Sequence, residues 1–212
     1  MDNNEEIMVG ESAGDESERK DKRREGIYDW IEVFTAAVTI VVIMLSFIMR
    51  IATVRGHSMD NTLSDGQVLI MSDMFYTPKQ GDIIVVQQNG GYFESPLVKR
   101  VIATGGQKLH IDFTNWEVTV DGKLIDEEYV KRGIPGVSMD KEEYYSVYSS
   151  YFDETGNITI PEGYLFVMGD NRNESSDSRS IYVGLVRENE VLGKVVFSLL
   201  PLSKLGVVKS AG

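Results

Sequence analysis

The sequence predicts a mostly β domain of short antiparallel strands, preceded by one N-terminal transmembrane helix. Residues 33–49 contain no charged side chain, and their helical length approaches the roughly 30 Å hydrocarbon core of a bilayer. Beyond them, short runs rich in β-branched residues alternate with Gly, Pro, Asn and Asp turn signals, without a long amphipathic helical period. We therefore expect a disordered acidic cytoplasmic tail with a basic flank over 1–25, an anchor over 26–52 and an extracytoplasmic β domain over 53–212.

The flanks of the apolar segment predict its orientation. A basic cluster precedes it, made of Arg19, Lys20, Lys22, Arg23 and Arg24. Only Arg50 and Arg55 follow closely, and this excess before the segment predicts a cytoplasmic N-terminus with residues 50–212 outside. A cleaved secretory signal also has a basic region before an apolar one, but Arg50 follows here without a good small-x-small site. A buried core helix is disfavoured because the segment is apolar on every face.

Composition excludes several classes of protein. Without cysteine, the chain has no disulfide, no cysteine nucleophile and no thiolate metal site. Two histidines, His57 and His110, are too few for a histidine-rich metal site, and we expect neither a metal nor an organic cofactor. The net charge of −12 argues against a nucleic-acid partner, because phosphate binding uses clustered lysine and arginine.

The predicted strands follow the alternation of apolar runs and turns. Asp121-Gly122 is a pair that enters a type I′ turn with little strain, so the runs on either side of it predict a hairpin. Residues 130–156 predict an irregular insertion, whose aromatic side chains we expect to pack rather than to bind. The expected strands are 68–71, 83–86, 97–103, 116–120 with the residues after Gly122, 164–168 and 190–200.

Ser58 and Lys99 are the residues that suggest catalysis. Gly56 allows close backbone approach, and the backbone N–H groups around Ser58 are candidates to face an oxyanion. Lys99 lies in an apolar run that can desolvate its amine, and a lysine base requires its pKa to fall by about three units from about 10.4. From local sequence alone, a strand lysine with its amine in water is the commoner alternative. The polar segment 169–179 reads equally well as a solvated turn.

Four sequence motifs occur together in one order along the chain. They are Gly56-x-Ser58-Met59-x-x-Thr62-Leu63, Gly81-Asp82-Ile83-Ile84-Val85, Lys99-Arg100-Val101-Ile102 and Gly169-Asp170-Asn171-Arg172-x-x-Ser175-x-Asp177-Ser178-Arg179. In this order they resemble the boxes of bacterial type I signal peptidase, the leader peptidase of peptidase family S26, a membrane protease with a serine-lysine dyad. The resemblance covers the anchor and nearly the whole outer domain, and it implies the signal-peptidase β fold.

The resemblance implies a function and a set of roles. The chain would be a membrane-bound serine endopeptidase that removes N-terminal signal peptides from secreted preproteins after small-x-small sites. Ser58 would be the nucleophile, Lys99 the general base, and the backbone at Ser58 and Gly56 would lie beside the oxyanion. Ser175 would hydrogen-bond the Lys99 amine.

Further residues and partners follow from the same resemblance. The supporting residues would be Asp177, Arg179 and Arg100, and the substrate pockets would be lined in part by Met59, Ile83, Ile84, Val85 and Val86. Preprotein signal peptides, the lipid bilayer and the Sec-type translocation route are the implied partners. The implied location is the bacterial plasma membrane, with one membrane pass.

Three departures from the family pattern are visible. Asn61 stands where the family usually has proline, and Gly56 stands where some members have a hydroxyl residue. Four residues separate Arg179 from Gly184, where many members have two.

Alternatives concern both the base and the function. His57 is a candidate base, but adjacent side chains of an extended segment point to opposite faces, so we expect it to face away from the Ser58 hydroxyl; His110 is a weaker candidate. A self-cleaving repressor of the SOS-response type is an alternative enzyme, because it resembles signal peptidase in its fold and in its serine-lysine pair. Such a protein would carry a DNA-binding domain where this chain has an anchor. A catalytically degenerate membrane-anchored β-module that binds signal peptides or partner proteins without cleaving is the alternative function.

Overall fold

The computed structural model describes residues 28–43, 49–131 and 141–211, and most of them from residue 49 onward form β-strands and turns. The chain divides into two compact units, Met1–Phe47 and Ile48–Gly212. In the first unit, residues 28–43 form helix α1. Within the three described ranges, no helix combines the length and the apolarity that crossing a membrane requires.

The predicted tail and anchor fall largely outside this description. The tail over 1–25 and the anchor residues 26–27 and 44–48 lie outside the described residues. Residues 49–52, predicted as the end of the anchor, form most of strand β1 (Met49–Thr53).

The second unit contains two antiparallel sheets. The strands of the larger sheet are β1, β2 (Val68–Ser72), β3 (Ile83–Val86), β4 (Leu97–Thr104), β9 (Tyr164–Met168), β10 (Val186–Arg187), β11 (Val191–Leu200) and β12 (Gly206–Val207). Their order is β1-β2-β11-β3-β4-β9-β10, with β12 paired to β11. The smaller sheet has the order β7-β6-β5-β8, from β5 (Lys108–Asp112), β6 (Glu117–Val120), β7 (Lys123–Leu124) and β8 (Ile158–Thr159). Outside the sheets lie helix α2 (Lys141–Val147) and the 3₁₀ turns Glu188–Glu190 and Leu202–Lys204.

The mostly β fold class is confirmed, and the strands that were predicted from apolar runs are present. Strands β3 and β9 coincide with the predictions, and β2, β4, β6 and β11 agree to within one residue. The predicted hairpin joins β6 to β7, with Asp121 at φ 52° and Gly122 at φ 75°, the left-handed conformations that a type I′ turn requires. All four residues of β3 are buried, which explains why this central strand is continuously apolar in sequence.

The region over 130–156 contains more regular structure than predicted, although 132–140 lie outside the described residues. Part of it is helix α2, which buries Tyr144. Tyr144 and Tyr148 pack against the ring of Phe166 in β9, and the Tyr148 hydroxyl donates to the backbone oxygen of Ser178 at 2.7 Å. These aromatic side chains therefore support the polar segment that follows β9.

Strands β3, β4 and β9 form the framework of the candidate site. In β4, Lys99 pairs with Ile84 of β3, and Arg100 pairs with Met168 at the end of β9. The loop between β1 and β2 is closed at its base because the N–H of Val54 donates to the backbone oxygen of Gln67 at 2.9 Å. This loop carries Ser58 and brings it to the sheet that contains Lys99.

Candidate active site

Ser58 lies in a turn whose backbone is fixed by the segment after β9. The N–H of Asn171 donates to the Ser58 backbone oxygen at 2.9 Å, and the Asn171 side-chain amide donates to the backbone oxygen of His57 at 3.0 Å. Ser58 is only partly buried. Among the described residues, the Ser58 N–H makes no backbone hydrogen bond, so this donor is available to a bound group.

Lys99 is a buried lysine whose amine contacts Ser58. It is 3% exposed in β4, and its Nζ lies 2.7 Å from Ser58 Oγ. Burial lowers the pKa of Lys99 from 10.5 to about 8; the charge of Asp177 opposes this shift and that of Arg179 adds to it. The neutral form that a general base requires is therefore present in about one molecule in ten at pH 7 and in about half at pH 8.

Gly169 lies where Ser58 and the polar segment after β9 come closest together. A Cβ atom at this position would lie 2.2 Å from Ser175 Oγ and 2.4 Å from the backbone oxygen of Ser58. Residues other than glycine would push these groups apart. Gly169 lies in one of the four sequence motifs, but no local sequence signal indicates its role, because only the folded geometry reveals this contact.

Asp177 organises the segment that follows β9. Its Oδ2 accepts from the Ser175 hydroxyl at 2.7 Å and from the Gly169 N–H at 3.0 Å, while Arg179 donates to both carboxylate oxygens at 2.8 Å. Burial alone would raise the pKa of Asp177, but Arg179 and these hydrogen bonds outweigh it and lower the pKa. Because the Ser175 hydrogen is directed to Asp177, Ser175 can meet the Lys99 amine only as an acceptor. The predicted hydrogen bond between Ser175 and Lys99 stays a prediction.

Arg100 joins β4 to the loop after Ser58 through Asp170. Its Nε and Nη2 donate to the two Asp170 carboxylate oxygens at 2.9 and 2.7 Å, and the Thr62 hydroxyl donates to Asp170 Oδ2 at 2.5 Å. The Arg100 guanidinium also lies 3.9 Å from the ring centroid of Tyr129. Bidentate geometry fixes the orientation of both partners. This ion pair therefore fixes the position of the loop after Ser58 relative to the segment after β9.

A third buried ion pair, between Arg172 and Glu127, was not predicted. Arg172 donates to both oxygens of Glu127, both side chains are almost fully buried, and Arg172 Nε donates to the Gly169 backbone oxygen at 3.1 Å. Arg172 lies in a predicted motif, but no sequence signal identifies Glu127 as its partner.

The predicted oxyanion and substrate-binding residues are placed as follows. The Gly56 N–H donates to Asp65 Oδ1 at 2.7 Å, and Gly56 has φ 84°, so a hydroxyl residue at this position would be strained. Met59 and all four residues of β3 are buried, Met59, Ile83 and Val85 in one core cluster and Ile84 and Val86 in another. These residues form core beneath the site, and their contact with a substrate stays a prediction.

Among the described residues, neither histidine ring makes a hydrogen bond to Ser58 or Lys99. His57 is exposed, with its Nδ1 3.4 Å from Asp60 Oδ2, and His110 lies in β5 with its Nδ1 3.1 Å from the Gly156 backbone oxygen. Within the part of the chain that the structure describes, no group of three or more acidic or histidine side chains is arranged to hold a metal ion.

The site therefore combines a serine hydroxyl, a buried amine with a lowered pKa and a free backbone N–H beside the serine. These are the elements of a nucleophile, a base and an oxyanion donor. An arrangement of this kind can support acyl transfer through the serine hydroxyl.

Comparison with known proteins assigns the family. Residues 27–200 match the family described as signal peptidase, peptidase S26. Signal peptidase I P of Bacillus subtilis subsp. natto is 30% identical over 191 residues, which cover 89% of this chain and 97% of that protein. Signal peptidase IB of Staphylococcus aureus (strain COL) is 32% identical over 186 residues, which cover 84% and 92%. The chain belongs to the peptidase S26 family of signal peptidases, and the resemblance to type I signal peptidase is confirmed.

A solved structure is also similar. The crystal structure of a signal peptidase I from Enterococcus faecalis V583 aligns with a TM-score of 0.41 and 28% sequence identity, covering 56% of this chain and 97% of that one.

Proposed function

We propose that this chain is a membrane-bound serine endopeptidase that removes N-terminal signal peptides from secreted preproteins after small-x-small sites. The observation that carries the proposal is the 2.7 Å distance between Ser58 Oγ and Lys99 Nζ, made by a lysine whose pKa burial lowers to about 8. Membership of the signal peptidase family, and relatives named signal peptidase I, supply the substrate class.

The first step is acylation of Ser58. Neutral Lys99 accepts the hydroxyl proton as Ser58 Oγ attacks the carbonyl before the scissile bond, and protonated Lys99 then gives that proton to the leaving amine. Water, deprotonated by the same amine, then attacks the acyl carbonyl. The bond to Ser58 Oγ breaks, protonated Lys99 returns the proton to that oxygen, and the signal peptide is released. With a pKa of about 8, roughly one Lys99 in ten is neutral at pH 7 and about half at pH 8.

The oxyanion requires donors that are not already occupied. The Ser58 N–H is free among the described residues, whereas the Gly56 N–H is directed to Asp65. We therefore assign the oxyanion to the Ser58 N–H, with the Gly56 backbone beside it. The loss of one oxyanion donor costs about 3 kcal/mol, so a substrate-bound structure is expected to show a second donor elsewhere.

The supporting residues hold the nucleophile and base without contacting the reacting atoms. Asp177, fixed by Arg179, orients Ser175 and Gly169 beside the Ser58 backbone. Its negative charge also opposes the lowering of the Lys99 pKa. Two effects on the Lys99 pKa thus oppose each other. Burial lowers the pKa and favours the neutral amine, whereas the Asp177 carboxylate raises it and favours the ammonium formed after proton transfer.

Membrane attachment belongs to the same proposal. Residues 33–49 carry no charge and follow a basic cluster, which supports a single-pass anchor with its N-terminus in the cytoplasm. The catalytic domain would then meet signal peptides in the bilayer as they leave the Sec-type translocation route. The plasma membrane of a bacterium is the expected location.

Preprotein cleavage in detergent or lipid vesicles tests the proposal. The intact protein is expected to cut a preprotein with an Ala-x-Ala site at pH 8, and both Ser58→Ala and Lys99→Ala are expected to abolish cutting. Ser146→Ala and Lys123→Ala change exposed residues of the same types and serve as matched controls. If the intact protein binds such substrates but cuts none of them, the non-cleaving β-module replaces the peptidase.

A further inference from the structure

The last described residues of the chain return to the centre of the larger sheet. Strand β12 pairs with β11, and the Val208 N–H donates to the Val196 backbone oxygen at 3.1 Å. The chain then reaches the turn before β3, where the N–H of Ala211 donates to the Gly81 backbone oxygen at 3.1 Å. We refer to residues 206–211 as the C-terminal strap.

Gly81 fits the strap closely. Its φ is 86°, and a Cβ atom built on it would lie 1.2 Å from the backbone oxygen of Ala211. A distance this short is incompatible with any side chain while the strap is docked. Gly163 has a similar φ of 76° but open space around it, so the steric demand at Gly81 comes from the strap and not from the turn alone.

Asp82 anchors the strap through its side chain. The buried carboxylate accepts from the Ser210 hydroxyl at 2.7 Å, from Lys194 Nζ at 2.5 Å and from the Tyr76 hydroxyl at 2.8 Å. Burial alone would raise the pKa of Asp82, but the hydrogen bonds from Lys194, Ser210 and Tyr76 outweigh it, and the pKa is lowered. The strap therefore supplies one partner of a buried charge, and its removal leaves that charge less well satisfied.

The Gly81 backbone oxygen connects the strap to the site. It accepts from Ala211 and also from Arg100 Nη1, the latter at 2.8 Å. Arg100 continues to Asp170, and Asp170 accepts the Thr62 hydroxyl in the turn that contains Ser58. A cavity of about 1140 Å³ is lined by the strap, Arg100 and Thr62 together, but not by Ser58. The connection thus runs through hydrogen bonds beside an open space.

We propose that the C-terminal strap is a positioning element of the active site: docked on Gly81 and Asp82, it fixes Arg100 and, through Asp170 and Thr62, the turn that presents Ser58. This inference rests on the proposed peptidase function for its kinetic consequence. Ser210 and Ala211 act through other residues and do not contact the reacting atoms. The Gly81-Asp82 motif, singled out in the sequence without a role, is the docking site.

Three changes to the full-length protein in detergent test the strap. The first deletes residues 210–212, the second is Gly81→Ala, and the third, milder change is Ser210→Ala. The deletion and Gly81→Ala are each expected to lower kcat on the Ala-x-Ala preprotein about five- to tenfold, the effect of losing one or two hydrogen bonds, with KM changed less than about twofold. Ser210→Ala is expected to give a smaller fall in the same direction.

Gly163→Ala is the matched control for backbone strain, because it introduces Ala at a similar positive φ without a steric neighbour. It is expected to retain wild-type kcat. In the deleted background, Gly81→Ala is expected to reduce kcat no further than Gly163→Ala does. An additional loss from Gly81→Ala in the absence of the strap would overturn the docking explanation.

Hydrogen exchange of backbone amides supplies a readout that does not depend on cleavage. The Leu63 N–H, which donates to the Met59 backbone oxygen at 2.8 Å, is expected to exchange faster in the deleted protein, while the amides of β6 in the smaller sheet are expected to be unchanged. Wild-type exchange at Leu63 in the deleted protein would contradict the proposal. If the intact protein cleaves no preprotein, the peptidase proposal fails and the exchange result alone decides the role of the strap.

Discussion

Replacement of Lys99 by methionine is expected to stabilise the protein at neutral pH. The side chain is 3% exposed, and burial lowers its pKa from 10.5 to about 8. At about 1.4 kcal/mol per pKa unit, this difference means that folding with a charged Lys99 costs about 3 kcal/mol. Methionine has a similar length and no charge, but it forfeits the hydrogen bond to Ser58, worth about 1 kcal/mol. The expected net gain at pH 7 is about 2 kcal/mol in the free energy of unfolding.

The pH dependence of this gain gives the sharper test. Below pH 8 the folded wild-type protein carries the charge and the full cost applies. Between pH 8 and 10.5 the unfolded chain binds a proton that the folded chain has released, so wild-type stability rises with pH. The methionine variant has no such titrating group. Its excess in the free energy of unfolding over wild type is therefore expected to disappear as the pH approaches 10.5.

Urea-induced unfolding of both full-length proteins in detergent, followed by tryptophan fluorescence at pH 7 and pH 10, measures the difference. Other groups titrate in this range, but they are common to both proteins and cancel. Lys123→Met, at an exposed position, is the control and is expected to leave the unfolding free energy nearly unchanged at both pH values. If the difference between wild type and Lys99→Met is the same at pH 7 and pH 10, Lys99 does not have a lowered pKa and the base assignment fails.

Three further substitutions test the surrounding geometry. Gly169→Ala places a Cβ 2.4 Å from the Ser58 backbone oxygen and is expected to lower kcat/KM about 100-fold, whereas Gly163→Ala, in open space, is not. Asn61 has φ 86°, which proline cannot adopt, so Asn61→Pro is expected to cost about 1–3 kcal/mol in urea unfolding while Asn61→Gly is tolerated. Asp177→Asn removes a charge that favours the ammonium, so the acid limb of the pH–activity profile is expected to move to lower pH, with a loss of about 3–5 kcal/mol in stability.

Local patterns in the sequence were sufficient to predict most strands of the larger sheet. Strands such as β3 and β9 are apolar throughout because they lie between other strands, and the turn at Asp121-Gly122 depends on two adjacent residues only. Strand β5 was missed because it combines charged and apolar residues, and β1 was assigned to the anchor because an apolar run does not distinguish a strand from the end of a helix.

The site was less predictable, because its contacts join distant parts of the chain. Ser58 and Lys99 are 41 residues apart, and only the resemblance to a family connected them before the structure did. The partners of Arg100 and Arg172, namely Asp170 and Glu127, are determined by which segments pack together. Burial is set in the same way: Met59 packs in a core cluster with Ile83 and Val85, and its contact with a substrate stays a prediction.

The dependence of preprotein cleavage on pH tests the central claim most directly, since it reports the group that must lose a proton before Ser58 can attack. We expect kcat/KM to rise with pH through an apparent pKa of about 8, the value for Lys99, and to keep this acid limb in His57→Ala and His110→Ala. An acid limb near 6.5, the usual range of histidine, that is lost in His57→Ala would contradict the account and assign the base to His57.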